Sequence, residues 1–237
     1  MFKIAVLLVT YNPDWNKFRR TLYSIISQKN VEISLIIADD GSENDCFDFA
    51  EGYLKNNGFT SYKFVKNIKN LGTVKNILSG LSIINEKYVK LISPGDFLYD
   101  EDTLAEFCDF AEKNPAAFYF GNMFYYSLDK DNSITIYEDK KNPRDLRPWK
   151  KMDAKKIRWN YLVNRDYVCG AVSVYNTQKL SEYLMRISSF VKFAEDCSMI
   201  YMIANKESAY YTNTWGGYFM NLVQGFQPKT LVHGLCV

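Results

Sequence analysis

Along this chain, short unbroken apolar runs alternate with stretches in which apolar residues recur at helical spacing. Ile4 to Thr10 is continuously apolar and rich in β-branched residues, which predicts a strand covered on both faces, as in a parallel sheet. Tyr11-Asn12-Pro13-Asp14 breaks it. From Trp15 to Gln28 the positions Phe18, Leu22, Ile25 and Ile26 predict a helix, with Asp14 placed to cap it. Ile33 to Ala38 is a second buried run and stops at Asp39-Asp40-Gly41-Ser42. Strand, helix and strand in succession make a βαβ unit, right-handed within one sheet.

The alternation continues. A helix through Phe47, Ala50, Tyr53 and Leu54 to Gly58 is capped by Asn44 or Asp45, and Tyr62 to Val65 forms a third strand. Asn70-Leu71-Gly72-Thr73-Val74-Lys75-Asn76 turns into a helix carrying Ile77, Leu78, Leu81 and Ile84 on its apolar side. Tyr88 to Ile92 is a fourth strand, closed by Ser93-Pro94-Gly95, and Glu101 to Lys113 a fourth helix. This is the pattern of a doubly wound α/β fold, a mostly parallel Rossmann-like sheet with helices on both faces.

Beyond Phe118 the pattern loosens. Ala117 to Tyr126 reads as one strand, Asp129 to Ser133 as a hairpin turn into Ile134 to Tyr137, and the charged, Pro-containing stretch Glu138 to Lys156 as an exposed loop or lid. Cys169 to Tyr175 suits a strand and Glu195 to Ala204 a helix. No repeat or linker divides the chain, so residues 1–115 and 116–237 are expected to be two halves of one domain.

Composition narrows the function. Hydrophobic residues make up 47% and charged residues 24%, which excludes a disordered chain. A net charge of +2 gives no footprint for nucleic-acid binding by phosphate neutralisation. The cysteines Cys46, Cys108, Cys169, Cys197 and Cys236 are scattered without a C-x-x-C pair, which points to reduced thiols in the cytoplasm rather than a disulfide framework or a zinc site. The opening apolar run is short and lacks a small-residue cleavage site, so it reads as a strand and not as a signal peptide. No run approaches the ~20 apolar residues that cross a bilayer, and any membrane contact would be peripheral.

Candidate chemistry lies in three acidic clusters, Asp39-Asp40, Asp96 and Glu195-Asp196. The first two follow strands expected to be parallel, and ligands of open α/β sheets bind at that edge. Two carboxylates there suit a hydroxyl-rich ligand, a metal, or both. Two of the three also have a plainer explanation: Pro-Gly-Asp at Asp96 is ordinary turn chemistry, and acids in a helix's first turn, as at Glu195-Asp196, are favoured by its dipole.

In order, Val9-Thr10-Tyr11-Asn12, Ala38-Asp39-Asp40-Gly41-Ser42, Asn70-x-Gly72-x-x-Lys75-Asn76, Ser93-Pro94-Gly95-Asp96 and Glu195-Asp196 resemble the family 2 glycosyltransferases of the GT-A fold. The resemblance covers the first 115 residues and extends toward Ala204. It implies inverting transfer of a sugar from a nucleotide diphosphate donor, a UDP-sugar first among them, to a hydroxyl of a glycan or lipid-linked acceptor in surface polysaccharide synthesis at the cytoplasmic membrane face. Residue by residue, it implies nucleotide contacts for Thr10, Tyr11, Asp39, Asp40 and Lys75, a Mn²⁺ or Mg²⁺ ligand in Asp96, and a general base in Asp196 with Glu195 beside it.

Several positions depart from the family. Lys75 stands where an arginine is usual, and keeps the charge without the bidentate fork. Ser93 and Gly95 replace further acids, which leaves a cation one protein carboxylate, the phosphates and water. The stretch Tyr210 to Tyr218 holds no histidine or basic group, and the single histidine, His233, lies near the chain end. Rings at Phe190, Phe193 and Tyr201 are expected to desolvate Asp196. Tyr125, Tyr126, Trp149, Trp159, Tyr161 and Tyr167 are mostly expected in packing, with one or two left to meet a sugar. A nucleotidyltransferase would need a Gly-rich phosphate loop at the start, and a dinucleotide oxidoreductase a G-x-G-x-x-G; neither is present. A glycosyltransferase-like module that binds without turnover is the remaining alternative.

Overall fold

The first apolar run becomes the centre of the sheet. In a computed structural model describing residues 1–128, 134–137, 141–213 and 219–221, strand β1 (Phe2–Thr10) lies between β2 (Val31–Asp39) and β4 (Tyr88–Ile92), parallel to both. Ile4 through Leu8 are wholly buried, as a strand with helices on both faces must be. Strand β3 (Tyr62–Lys66) pairs parallel with the outer side of β2. The connections are α1 (Trp15–Ile26), α2 (Phe47–Asn56) and α3 (Thr73–Leu81).

Strand order reverses after β3, and β4 returns to the far side of β1. Register then aligns the strand ends: Thr10 sits opposite Asp39, and Leu8 opposite Ile92. Thr10, Asp39 and the turn after Ile92 therefore open onto one edge, at the switch point where such sheets bind ligands. Asp14 caps α1, accepting from the Lys17 N–H at 3.0 Å. Helix α2 starts after Cys46, in left-handed backbone with φ 59°, and the Asp45 carboxylate takes the Phe47 N–H at 3.0 Å.

The second half differs from its sequence reading in four places. After α4 (Thr103–Lys113), the stretch expected as one strand divides into β5 (Phe118–Phe120) and β6 (Phe124–Leu128), which belong to different sheets. The break comes at Gly121-Asn122-Met123, where the chain leaves the buried sheet. Strand β6 pairs antiparallel with β7 (Ile134–Tyr137). The turn expected at Asp129–Ser133 lies outside the described residues, as does His233.

The expected lid is partly folded: α5 (Arg147–Lys150) buries Pro148 and Trp149, and α6 (Ala154–Leu162) follows, capped by Asp153. Trp149 packs edge-on against Phe120 with centroids 4.8 Å apart, so this stretch belongs to the core. Cys169 to Tyr175 resolves into a 3₁₀ turn, Gly170–Val172, and strand β8 (Ser173–Asn176). Strand β8 runs antiparallel between β4 and β5. An amphipathic helix not foreseen from the sequence, α7 (Thr177–Ile187), buries Leu180, Tyr183, Leu184 and Ile187 and packs on α3. Helix α8 (Cys197–Ala204) and β9 (Ala209–Tyr211) complete the seven-stranded sheet, whose order is β3-β2-β1-β4-β8-β5-β9. Backbone pairing adds β10 (Phe219–Asn221) to β6.

Candidate active site

At the joined ends of β1 and β2 the polar groups interlock. Asp39 is fully buried and its carboxylate is engaged by Ser42, whose backbone N–H donates at 2.8 Å and whose hydroxyl donates as well. The same hydroxyl accepts from the Asn12 N–H at 2.6 Å, tying the β1 loop to the β2 loop. Asp40 turns inward: its carboxylate accepts from the Leu71 and Gly72 N–H groups at 2.8 Å each and from the Asn67 amide at 3.1 Å. Of the five residues expected at the nucleotide, Asp39 and Asp40 thus hold loops together from behind. Tyr11 and Lys75 are exposed, while the buried Thr10 hydroxyl has no partner among the described residues.

The segment bound by Asp40 leads to the third acidic cluster. Gly72, at φ 89°, packs so closely on Lys192 that a Cβ would come within 2.6 Å of the Lys192 carbonyl oxygen. Two residues on, the Val74 N–H donates to that same oxygen at 3.1 Å. The N-terminus of α3 therefore joins the Asp39-Asp40 turn to the strand of chain carrying Glu195 and Asp196.

Asp96 sits in a clamped turn. The buried Thr21 of α1 accepts from the Gly95 N–H at 3.0 Å and donates to the Asp96 carbonyl at 2.7 Å. Tyr126 donates its hydroxyl to the Gly95 carbonyl from β6. The Asp96 side chain is half-buried, and desolvation pushes its carboxyl up to about 7, against the attraction of Lys90. Among the described residues no three metal-ligating side chains come together, so a cation here would have to complete its shell from a bound ligand's oxygens and water.

Asp196 occupies the N-cap position of α8 but makes no capping hydrogen bond. Its carboxylate is therefore not spent on the helix. One oxygen, Oδ1, is buried without a hydrogen-bond partner and lies against the Gly170 backbone, where an added Cβ would be 1.8 Å away. Burial raises the carboxyls of Asp196 and Glu195, and the Asp196 charge raises Glu195 further. Of the rings expected to desolvate Asp196, Phe190, Phe193 and Tyr201 are all exposed. Burial raises the hydroxyls of Tyr161 and Tyr175 in the core well above the usual range, and the Asp196 charge raises them further.

Beneath these acids lies a residue the sequence reading passed over. Lys90, in the middle of β4, is wholly buried, and burial lowers its ammonium to about 7 against the attraction of Asp96 and Asp196. The signal was present as one lysine inside an otherwise apolar strand. Of the six aromatic residues expected mainly in packing, Tyr126, Trp149 and Tyr161 are buried and Trp159 is exposed. A groove of about 640 Å³ lined by Arg19, Arg20, Tyr23, Tyr53, Phe97 and Tyr99 runs beside α1, and none of the three acidic clusters lines it.

The family model described as Glycosyl transferase family 2 matches residues 5–184. No curated protein matches the sequence. Among solved structures, S. aureus TarS matches with a TM-score of 0.65 at 17% identity, covering 93% of this chain and 37% of that one. The 1–349 portion of S. aureus TarS in complex with UDP matches at TM-score 0.64 and 15% identity, covering 93% of this chain and 61% of that one. The same portion in complex with UDP-GlcNAc gives 0.65 and 16%, with 97% and 61% covered. The fold is shared with these GT-A structures, and the chain spans 37–61% of their length.

Proposed function

The chain belongs to glycosyl transferase family 2, and from that premise we propose that it transfers a sugar, with inversion, from a UDP-sugar to a hydroxyl of a glycan or lipid-linked acceptor. The observation that carries the reading is Asp196, at the N-cap of α8 without a capping hydrogen bond, its Oδ1 buried against Gly170, and desolvated beside Glu195, whose carboxyl the charge of Asp96 raises as well. An ordinary aspartate, with a pKa near ~3.9, is a poor base at neutral pH, and desolvation brings it toward the range where proton abstraction is effective.

In this reading the acceptor oxygen attacks the anomeric carbon as its proton passes to Asp196. The bond from that carbon to the diphosphate breaks, and the electron pair leaves with the nucleotide. Tyr11 and Lys75 offer the exposed groups for the nucleotide, with Thr10, Asp39 and Asp40 shaping the loops behind them. Asp96 is the residue that would hold Mg²⁺ or Mn²⁺, and such a cation stabilises the charge developing on the diphosphate. The UDP and UDP-GlcNAc complexes of the TarS fold support uracil as the base. Synthesis of a surface polysaccharide by a peripheral protein at the cytoplasmic membrane face is the setting this chemistry suits.

The test is calorimetric titration of UDP, dTDP and GDP, with and without Mn²⁺, into the wild type and Asp96→Asn. The expected result is metal-dependent binding of UDP that Asp96→Asn abolishes. Asp196→Asn should bind UDP normally and lose turnover by about 100-fold or more, the scale of general base catalysis. A folded protein that binds none of the three diphosphates would instead be a non-catalytic module of the same fold.

A further inference from the structure

Lys90 is wholly buried within the sheet, and its ammonium is engaged by backbone carbonyls of the second half of the chain. It lies opposite Val174 in the antiparallel pairing of β4 with β8. Its Nζ donates to the Ala171 carbonyl at 2.8 Å and to the Ser173 carbonyl at 2.9 Å, on either side of Val172. Those carbonyls belong to the 3₁₀ turn that begins at Gly170 and to the first residue of β8. Gly170 presses against the Asp196 carboxylate so tightly that no side chain fits between them.

We propose that Lys90 is the positioning residue of the candidate base: by holding the Ala171 and Ser173 carbonyls, just past Gly170, it fixes the wall against which Asp196 is set. Its charge acts in the same direction, favouring the ionised Asp196 carboxylate that lies against the turn. A buried ammonium is expensive to maintain in a strand that leucine or methionine would fill, so its retention beneath two acids suits a positioning role better than packing alone.

The inference rests on the reading of Asp196 as the base, and the experiment separates the two. UDP release from UDP-GlcNAc is measured in the wild type, Lys90→Met, Lys90→Gln, Asp196→Asn and the Lys90→Met/Asp196→Asn double variant, alongside UDP affinity and thermal unfolding of each. Misplacing the base should lower Lys90→Met turnover by about 100-fold while UDP affinity stays within about twofold. Lys90→Gln, which keeps amide donors for the carbonyls, should recover part of the loss. The double variant should be no slower than Asp196→Asn alone. Wild-type turnover in Lys90→Met, no recovery in Lys90→Gln, or multiplying losses in the double variant would overturn the proposal.

Normal turnover in Asp196→Asn would overturn the base assignment instead. In that case, or if the wild type releases no UDP from this donor, a crystal structure of Lys90→Met, or of Lys90→Gln where the methionine variant does not fold, decides. Withdrawal of Gly170 from the Asp196 carboxylate supports the positioning role, and an unmoved turn ends it.

Discussion

Asp96 makes pH a probe of the site at the scale of single residues. Its carboxyl is raised from 3.8 to about 7 by desolvation, so in that window the folded protein holds a proton the unfolded chain has released. Stability from this group is complete below 3.8 and is lost as pH rises toward 7. Glu195 and Asp196, raised as well, act in the same direction. The unfolding midpoint of the wild type should therefore fall between pH 4 and pH 7, and Asp96→Asn should flatten part of that fall. An equal slope in both proteins would show that Asp96 is solvated and ionised throughout. The acids at strand ends were legible in the sequence because strand ends are legible. Lys90 and Thr21 were not, since their partners lie 81 and 75 residues away along the chain and leave no local pattern.

Among the elements, α1 does more than cover the sheet. Thr21 reaches from it into the turn that carries Asp96, meeting a buried N–H and a carbonyl at once. Thr21→Ala leaves both without that partner and should destabilise the protein by about 1–3 kcal/mol, the usual cost of a buried polar group unpaired. It should also weaken metal-dependent UDP binding, and calorimetry on the variant would show whether the two losses come together. The four β–α units of the first half were readable because each buried run has its own period and its own stop. In the second half β5 and β6 form one apolar stretch, and nothing in its periodicity marks where it passes from one sheet to the other. The helix α7 escaped notice because Thr177 to Ile187 mixes charged and apolar residues and follows its strand without a loop.

Across the whole molecule the candidate site draws on both halves of the chain. The edge of the parallel sheet supplies Thr10, Tyr11 and Asp96; the later half supplies Glu195 and Asp196 and, through the 3₁₀ turn and β8, the carbonyls that hold Lys90. No helix among the described residues is long and apolar enough to cross a membrane, and the calorimetric profile expected for UDP needs no bilayer. The sequence foretold the parallel core and its open edge. It did not show that a strand from the second half enters that core, because an antiparallel insertion of four residues is set by its neighbours and not by its own composition.

That insertion decides what can be cut. Strand β4 is buried along its whole length and owes one flank to β8. A fragment ending at residue 115 would bare a flat, unpaired strand of Tyr88, Val89, Leu91 and Ile92, the kind of rim that templates association between copies. Such a fragment should come out as oligomers or inclusion bodies, with Lys90 its only internal deterrent, and sedimentation would detect this directly. A monodisperse, folded 1–115 fragment would mean that the first half stands alone. The expected outcome ties solubility itself to the short strand that receives the Lys90 ammonium.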